Sequence, residues 1–208
     1  MLESGGSRTA AVGERVPQMT AAVRRPYGEL DRARVVTSLR DLARRVGVQG
    51  VTMRELAAEL GSAVPSVYYH VPGKQAALDL LAESVLAEIP VVETGSWDTR
   101  LAELYCAARE VILSVPGIAG VLQAGGGGDS ARRLDKLSRM LLAEAGLTKP
   151  VAAAAHSVLY TYLLGSVSLQ ETRPAHRGKR QAANHFRAGL EVIIAGIGAS
   201  RPDGSARS

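Results

Sequence analysis

The sequence predicts an all-α protein, and three observations carry that expectation. Aromatic residues make up 4% of the 208 residues while Ala, Leu and Val dominate, so the composition favours helices over strands. Apolar positions recur at helical spacing along most of the chain. Gly47, Gly61, Pro72, Gly73, Pro90, Pro116 and Gly146 fall between those periodic segments, where helix stops belong.

Residues 1–28 mix Gly, Ser, Arg and Pro without apolar period and are expected to form a flexible arm, with Arg24 and Arg25 nearest the folded part. A solvated tail and a DNA-touching arm both fit that composition. From Leu30, the positions Val35, Val36, Leu39, Leu42, Ala43 and Val46 define the inner face of a first helix, which Gly47 is expected to stop.

Thr52 and Glu55 stand at capping-box spacing, the threonine hydroxyl available to the Glu55 amide and the glutamate reaching back. Val51 and Leu56 sit where a hydrophobic staple would. The second helix, buried through Met53, Leu56, Ala57 and Leu60, then ends at Gly61, a residue able to take the left-handed conformation. Ser62 is positioned to cap a third helix whose first turn accommodates Pro65, and which ends near Val71.

A fourth helix is expected from Lys74 towards Ile89, facing inward through Ala77, Leu78, Leu81, Ala82, Val85 and Leu86. Beyond it the pattern gives helices near 97–115, 117–122, 130–145, 148–171 and 181–197, with Gly125 to Gly128 read as a flexible connection. The boundaries therefore suggest an arm at 1–28, a first helical domain at 29–90 and a second at 91–208.

Two short helices joined by a glycine turn and braced by a longer one are the parts of a helix-turn-helix. Charge agrees with that use: residues 1–74 hold 11 Lys+Arg against 7 Asp+Glu, a net of +4 out of the chain's +5. On the stretches TMRELAAELG, SVYYHV and GK followed by ALDLLAESVL, residues 30–90 resemble the TetR family of transcriptional regulators. Ser62 and Val71 depart from the usual pattern, which has a small aliphatic and a phenylalanine there.

The resemblance implies that Arg54 reads bases, that Val64, Pro65, Ser66 and Tyr68 line the groove-facing side, and that Tyr69, His70 and Lys74 hold phosphates. Thr52 and Ser62, at the starts of the two short helices, complete the expected DNA-binding set. An arginine fork suits guanine, and hydroxyl, imidazole and ammonium donors suit phosphate oxygens. For Tyr68 a second reading stands, as part of the small domain's core.

The resemblance also implies a homodimer on a palindromic double-stranded operator and a second domain that binds a small-molecule effector. The expected pocket residues are Trp97, Leu101, Tyr105, Arg109, Leu122, His156 and Tyr160, although structural packing is an open alternative for each. The segments Thr148 to Glu171 and Gln181 to Ile197 have broad apolar faces with small residues such as Ala155, Gly165 and Gly189, suited to pairing across a two-fold axis.

Catalytic chemistry is not expected. Cys106 has no convincing His and Asx arrangement, the four histidines lack metal-binding spacing, and the glycine run is followed by neither a Lys-Ser nor a Lys-Thr pair. Neither cofactor nor metal is called for, and the GDS triplet at Gly128 to Ser130 lacks the strand context of an esterase. Val151 to Leu169 carries no Asp, Glu, Lys or Arg, yet its alanines and polar residues make a buried helix the better reading than a membrane span. With one cysteine and no signal-peptide pattern, the expected compartment is the cytoplasm. An activator, a ligand-independent regulator, and a helical carrier or enzyme are the alternatives.

Overall fold

A computed structural model describes residues 31–172 and 178–200, so the arm expected at 1–28 lies outside the described residues. The elements are α1 (Arg32–Gly50), α2 (Met53–Leu60), α3 (Val64–His70), α4 (Lys74–Ala87), α5 (Trp97–Leu113), α6 (Ile118–Gln123), α7 (Gly128–Glu144), α8 (Lys149–Glu171) and α9 (Lys179–Ala199). No strand occurs among the described residues.

The first four helices pack on Val35, Leu39, Leu42, Leu56, Leu60, Val67 and Leu81, each no more than 2% exposed. Gly47 takes φ 73°, breaking helical geometry where the stop is expected, but the chain re-enters a last turn and α1 runs to Gly50. That kink brings the end of α1 to the turn after α5, where the Val48 amide donates to the Pro116 carbonyl at 2.9 Å.

Thr52 caps α2, its hydroxyl oxygen accepting from the Glu55 amide at 3.1 Å. The hydroxyl in turn donates to the Glu55 carboxylate at 3.0 Å, in place of the glutamate-to-backbone bond of the full capping box. At the other end, Gly61 is left-handed, and the amides of Gly61 and Ser62 donate to the carbonyls of Ala58 and Ala57. This paired closure occupies Ser62 as the residue beyond the helix end, so Ala63, not Ser62, stands at the N-cap of α3. The Arg34 guanidinium reaches the Leu60 carbonyl at 3.1 Å, tying α1 to the end of α2.

The glycine run, expected to be a connection, is closely packed in its second half. Gly127 is buried, and a Cβ there would stand 2.7 Å from Leu86 Cδ1. Gly128 opens α7, two residues earlier than expected, and a Cβ on it would collide with the Glu83 carboxylate. Glu83 on α4 thereby caps α7, accepting from the amides of Asp129 and Ser130 at 2.9 and 3.2 Å and from the Ser130 hydroxyl at 3.2 Å. Small residues are required here because a helix start and another helix's carboxylate share the space.

Helices α5 to α9 form a second bundle around Leu101, Ile112, Ile118, Leu142, Leu159 and Leu190, all 1% exposed or less. Among the described residues α8 is the helix long and apolar enough to cross a membrane. It buries Ala152, Ala155, Leu159, Leu163, Leu164 and Val167 on one face and leaves Val151, Val158, Tyr160 and Leu169 exposed.

Candidate nucleic-acid interface and ligand pocket

The face of α3 is built by one buried anchor. Val67 is fully buried, which turns the opposite side of this short helix outward. Pro65, Tyr68, Tyr69 and His70 are exposed there, and Val64 and Ser66 are half-buried beside them. Tyr68 is 48% exposed, so its ring is shared between the domain surface and solvent rather than enclosed in the core; Tyr69 is 87% exposed. The rings of Tyr69 and His70 meet edge to face at 5.2 Å.

The two cations expected at this interface are exposed on the helices that precede and follow α3. Arg54 is exposed near the start of α2, and Lys74 is exposed at the first position of α4. The Lys74 ammonium lies 3.4 Å from the Gln49 carbonyl at the end of α1, so a backbone acceptor orients it at a helix N-terminus that otherwise repels a cation. Thr52 is exposed but its hydroxyl is occupied by the cap, and Ser62 is half-buried in the turn. The surface therefore offers one apolar and aromatic ridge flanked by donors, the chemistry that suits base edges and phosphates.

Between α4, α5, α7 and α8 lies a cavity of about 320 Å³. Its walls are largely apolar, formed by Leu86, Ile89, Leu104, Ala108, Ile112, Leu122, Leu134 and Leu163. Polar groups gather at one end: Tyr105, Asp135, Ser138 and His156. The Tyr105 hydroxyl lies 3.1 Å from the Ser138 hydroxyl and 3.3 Å from His156 Nδ1, and Ser138 is 3.0 Å from the same nitrogen. His156 Nε2 meets Asp135 at 2.8 Å, and Arg139 Nε grips both carboxylate oxygens at 2.9 and 3.0 Å.

Burial pushes the His156 pKa down, Asp135 opposes that and Arg139 adds to it. Tyr105 is raised, chiefly by burial, and stays protonated. Tyr160 stacks on His156 at 6.1 Å and donates to the Leu122 carbonyl at 3.2 Å.

Of the residues expected to line a pocket, Tyr105, Leu122, His156 and Tyr160 stand on this cavity, whereas Trp97, Leu101 and Arg109 do not. The face of α5 turned to the cavity is Leu104, Tyr105, Ala108 and Ile112. Leu101 lies a turn earlier and is wholly enclosed in packing, and Trp97 leans instead on α9 at Gly198. Arg109 is rotated off that face: its guanidinium sits 5.3 Å from the Phe186 ring and bonds to Glu110 and Gln170. Asp135 and Ser138 were not anticipated, although their spacing of three puts both on one side of α7, a polar pair opposite the lone histidine of an apolar helix.

Cys106 is half-buried, and burial pushes its thiol up, away from the thiolate a nucleophile needs. Among the described residues no group of His, Cys, Asp or Glu gathers to hold a metal.

Two family models match the chain. "Bacterial regulatory proteins, tetR family" covers residues 36–81, and "Tetracyclin repressor-like, C-terminal domain" covers 89–184. An HTH-type transcriptional regulator of Saccharopolyspora erythraea is 30% identical over 76% of this chain and 70% of its own. The class A tetracycline repressor of Escherichia coli is 28% identical over 70% and 69%. A TetR variant of Acinetobacter baumannii, solved in complex with minocycline, superposes with a TM-score of 0.74 at 28% identity, covering 84% of this chain and 100% of that one. The helix-turn-helix, the second bundle with its cavity, and these matches across both have one meaning: the chain belongs to the TetR family and is a DNA-binding transcriptional regulator, not an enzyme.

Proposed function

We propose that this regulator is a cytoplasmic repressor that binds a palindromic operator as a homodimer and is released by a small molecule held in the cavity between α4, α5, α7 and α8. Residues 29–90 act as the DNA-binding domain and 91–208 as the ligand-binding and dimerisation domain. The observation that carries the reading is the outward face of α3, where Pro65, Tyr68, Tyr69 and His70 are exposed over a buried Val67, with Arg54 on α2 and Lys74 on α4 exposed as well. Arg54 reads bases, Val64, Pro65, Ser66 and Tyr68 meet the groove, and Tyr69, His70 and Lys74 take phosphates.

Release follows if the ligand favours a spacing of the two α3 helices that no longer fits half-sites about one DNA turn apart. Leu86 and Ile89, from α4 and its end, line the cavity, so a ligand there touches the helix that begins at Lys74. The relatives support the reading, one being a tetracycline repressor and another a structure with minocycline bound.

The test is selection of bound fragments from random duplex DNA, followed by a reporter carrying the selected site. A two-fold sequence that binds at least about a thousandfold tighter than random DNA is expected, with reporter output rising when the gene for the regulator is deleted. Equal affinity for all duplexes would sink the operator reading, and falling reporter output would make the protein an activator.

A further inference from the structure

The hydrogens at the polar end of the cavity can be counted, and the count restricts what binds there. His156 Nε2 lies 2.8 Å from an oxygen of Asp135, whose two carboxylate oxygens are both held by Arg139. A bare nitrogen lone pair so close to a carboxylate oxygen would be repelled, so the imidazole hydrogen belongs on Nε2 and Nδ1 is left an acceptor. Burial, by depressing the His156 pKa, keeps the ring neutral.

Nδ1, the Ser138 hydroxyl and the Tyr105 hydroxyl form a triangle with sides of 3.0, 3.1 and 3.3 Å. Three acceptors share two hydrogens. If serine donates to Nδ1, tyrosine donates to serine; if tyrosine donates to Nδ1, serine donates to tyrosine. Either way both hydrogens are consumed inside the triangle, and what it offers the cavity is oxygen lone pairs.

A ligand acceptor gains a bond here only by breaking one. A carboxylate would also stand near Asp135, and the one further cation of the lining, Arg132, is already paired with Asp129 and is 74% exposed. A hydroxyl or N–H adds a bond and breaks none. Apart from Tyr160, whose hydroxyl hydrogen is taken by the Leu122 carbonyl, the remaining wall is aliphatic, and a charged ligand would lose its hydration against it without gaining a free counter-charge.

We propose that the effector is a neutral, largely apolar molecule that presents a hydrogen-bond donor, a hydroxyl or an N–H, to the Tyr105–Ser138–His156 triangle. The proposal rests on the reading of this cavity as the effector site. It adds the chemistry of recognition: apolar walls give affinity, and the triangle selects donors.

Four probes on one ring skeleton test it by calorimetry with the full chain: 2-naphthol, 2-methoxynaphthalene, 2-naphthoate and 2-naphthylmethylammonium. The expected order puts 2-naphthol first, roughly fivefold or more ahead of the methyl ether, as one net hydrogen bond supplies. His156→Phe removes Nδ1 and frees one hydroxyl hydrogen, so the lead of the naphthol over the ether should shrink.

If the ether, the carboxylate or the ammonium binds as tightly as the naphthol, the donor rule is wrong although the cavity still takes ligands. If none of the four binds at millimolar concentration, the cavity is not the effector site and the proposal falls with that reading. An unchanged lead in a folded His156→Phe protein removes the triangle as the selector, and should that variant not fold, the wild-type ranking still decides.

Discussion

The backbone amide of Val48 donates to the carbonyl of Pro116 at 2.9 Å, joining the end of α1 to the turn between α5 and α6. Behind it, the Gly117 amide donates to the Glu171 carboxylate at 2.8 Å, so the tail of α8 holds the same turn. The helix-turn-helix unit is thus fastened to the bundle at a point far along the sequence from α4, which joins them covalently.

Gly117 makes that fastening possible. Its φ is +86°, and an added Cβ would stand 3.3 Å from Val48 Cβ. Gly117→Ala is expected to destabilise the protein by about 1–2 kcal/mol from the left-handed backbone alone. Urea unfolding measures it; a change under 0.3 kcal/mol would mean that the turn relaxes freely and fastens nothing.

A second fastening runs through Glu83. Removing its carboxylate leaves the first amides of α7 uncapped, and Glu83→Ala should cost roughly 1–2 kcal/mol. Gly128→Ala pushes the same carboxylate away. Because both changes break one cap, their costs should fall well short of additive in a double-mutant cycle. Additive costs would show that the glycine and the glutamate act separately.

At the DNA face the two cations separate by role. Arg54→Ala should relax preference at the bases it reads, by about 1–3 kcal/mol per position. Lys74→Ala should weaken every sequence alike and lower the salt slope by about one. Binding titrations at several salt concentrations distinguish them. Unchanged affinity and salt dependence in both variants would remove these residues from the interface.

The helix-turn-helix was legible because its signals are local. Thr52, Gly61 and Pro65 each act on backbone within a turn of themselves, so spacing alone reveals them. Ser62 was misassigned because its amide serves the helix behind it, a choice made by Gly61. The packing of Gly127 and Gly128 was hidden for another reason: it depends on Leu86 and Glu83, some forty residues earlier in the chain. For the pocket, periodicity identified which helices carry apolar faces but not their rotation. Tyr105 and Arg109 are one turn apart on α5, yet one meets the cavity and the other meets Phe186.

The buried imidazole gives the protein a pH signature. His156 has a pKa below its ordinary 6.5 in the folded state, with desolvation the leading cause, so below that value the unfolded chain binds the proton more readily. Its contribution is therefore fully present above about pH 6.5 and lost as pH falls through the folded pKa. Melting temperature should drop between pH 7.5 and 5.5, and drop less in His156→Gln. Equal pH dependence in the two proteins would show that His156 takes up its proton without resistance.

The dimer proposal makes the sharpest demand on α8 and α9. Val158 and Leu169 on α8 are 53% and 60% exposed, and Val192 on α9 is 73% exposed. Small residues surround them, Gly165 on α8 and Ala188, Ala195 and Gly196 on α9, which lets two helix pairs approach closely. Buried in a two-fold contact, each valine recurs in symmetric copies, so one substitution acts twice. Val192→Asp should place two unpaired carboxylates in that contact and convert dimers to monomers by light scattering. Operator affinity should fall with it, since a lone α3 reads one half-site, while the helical circular dichroism of the monomer stays that of the unsubstituted protein. A Val192→Asp protein that remains dimeric and binds its operator normally would move the interface off this face.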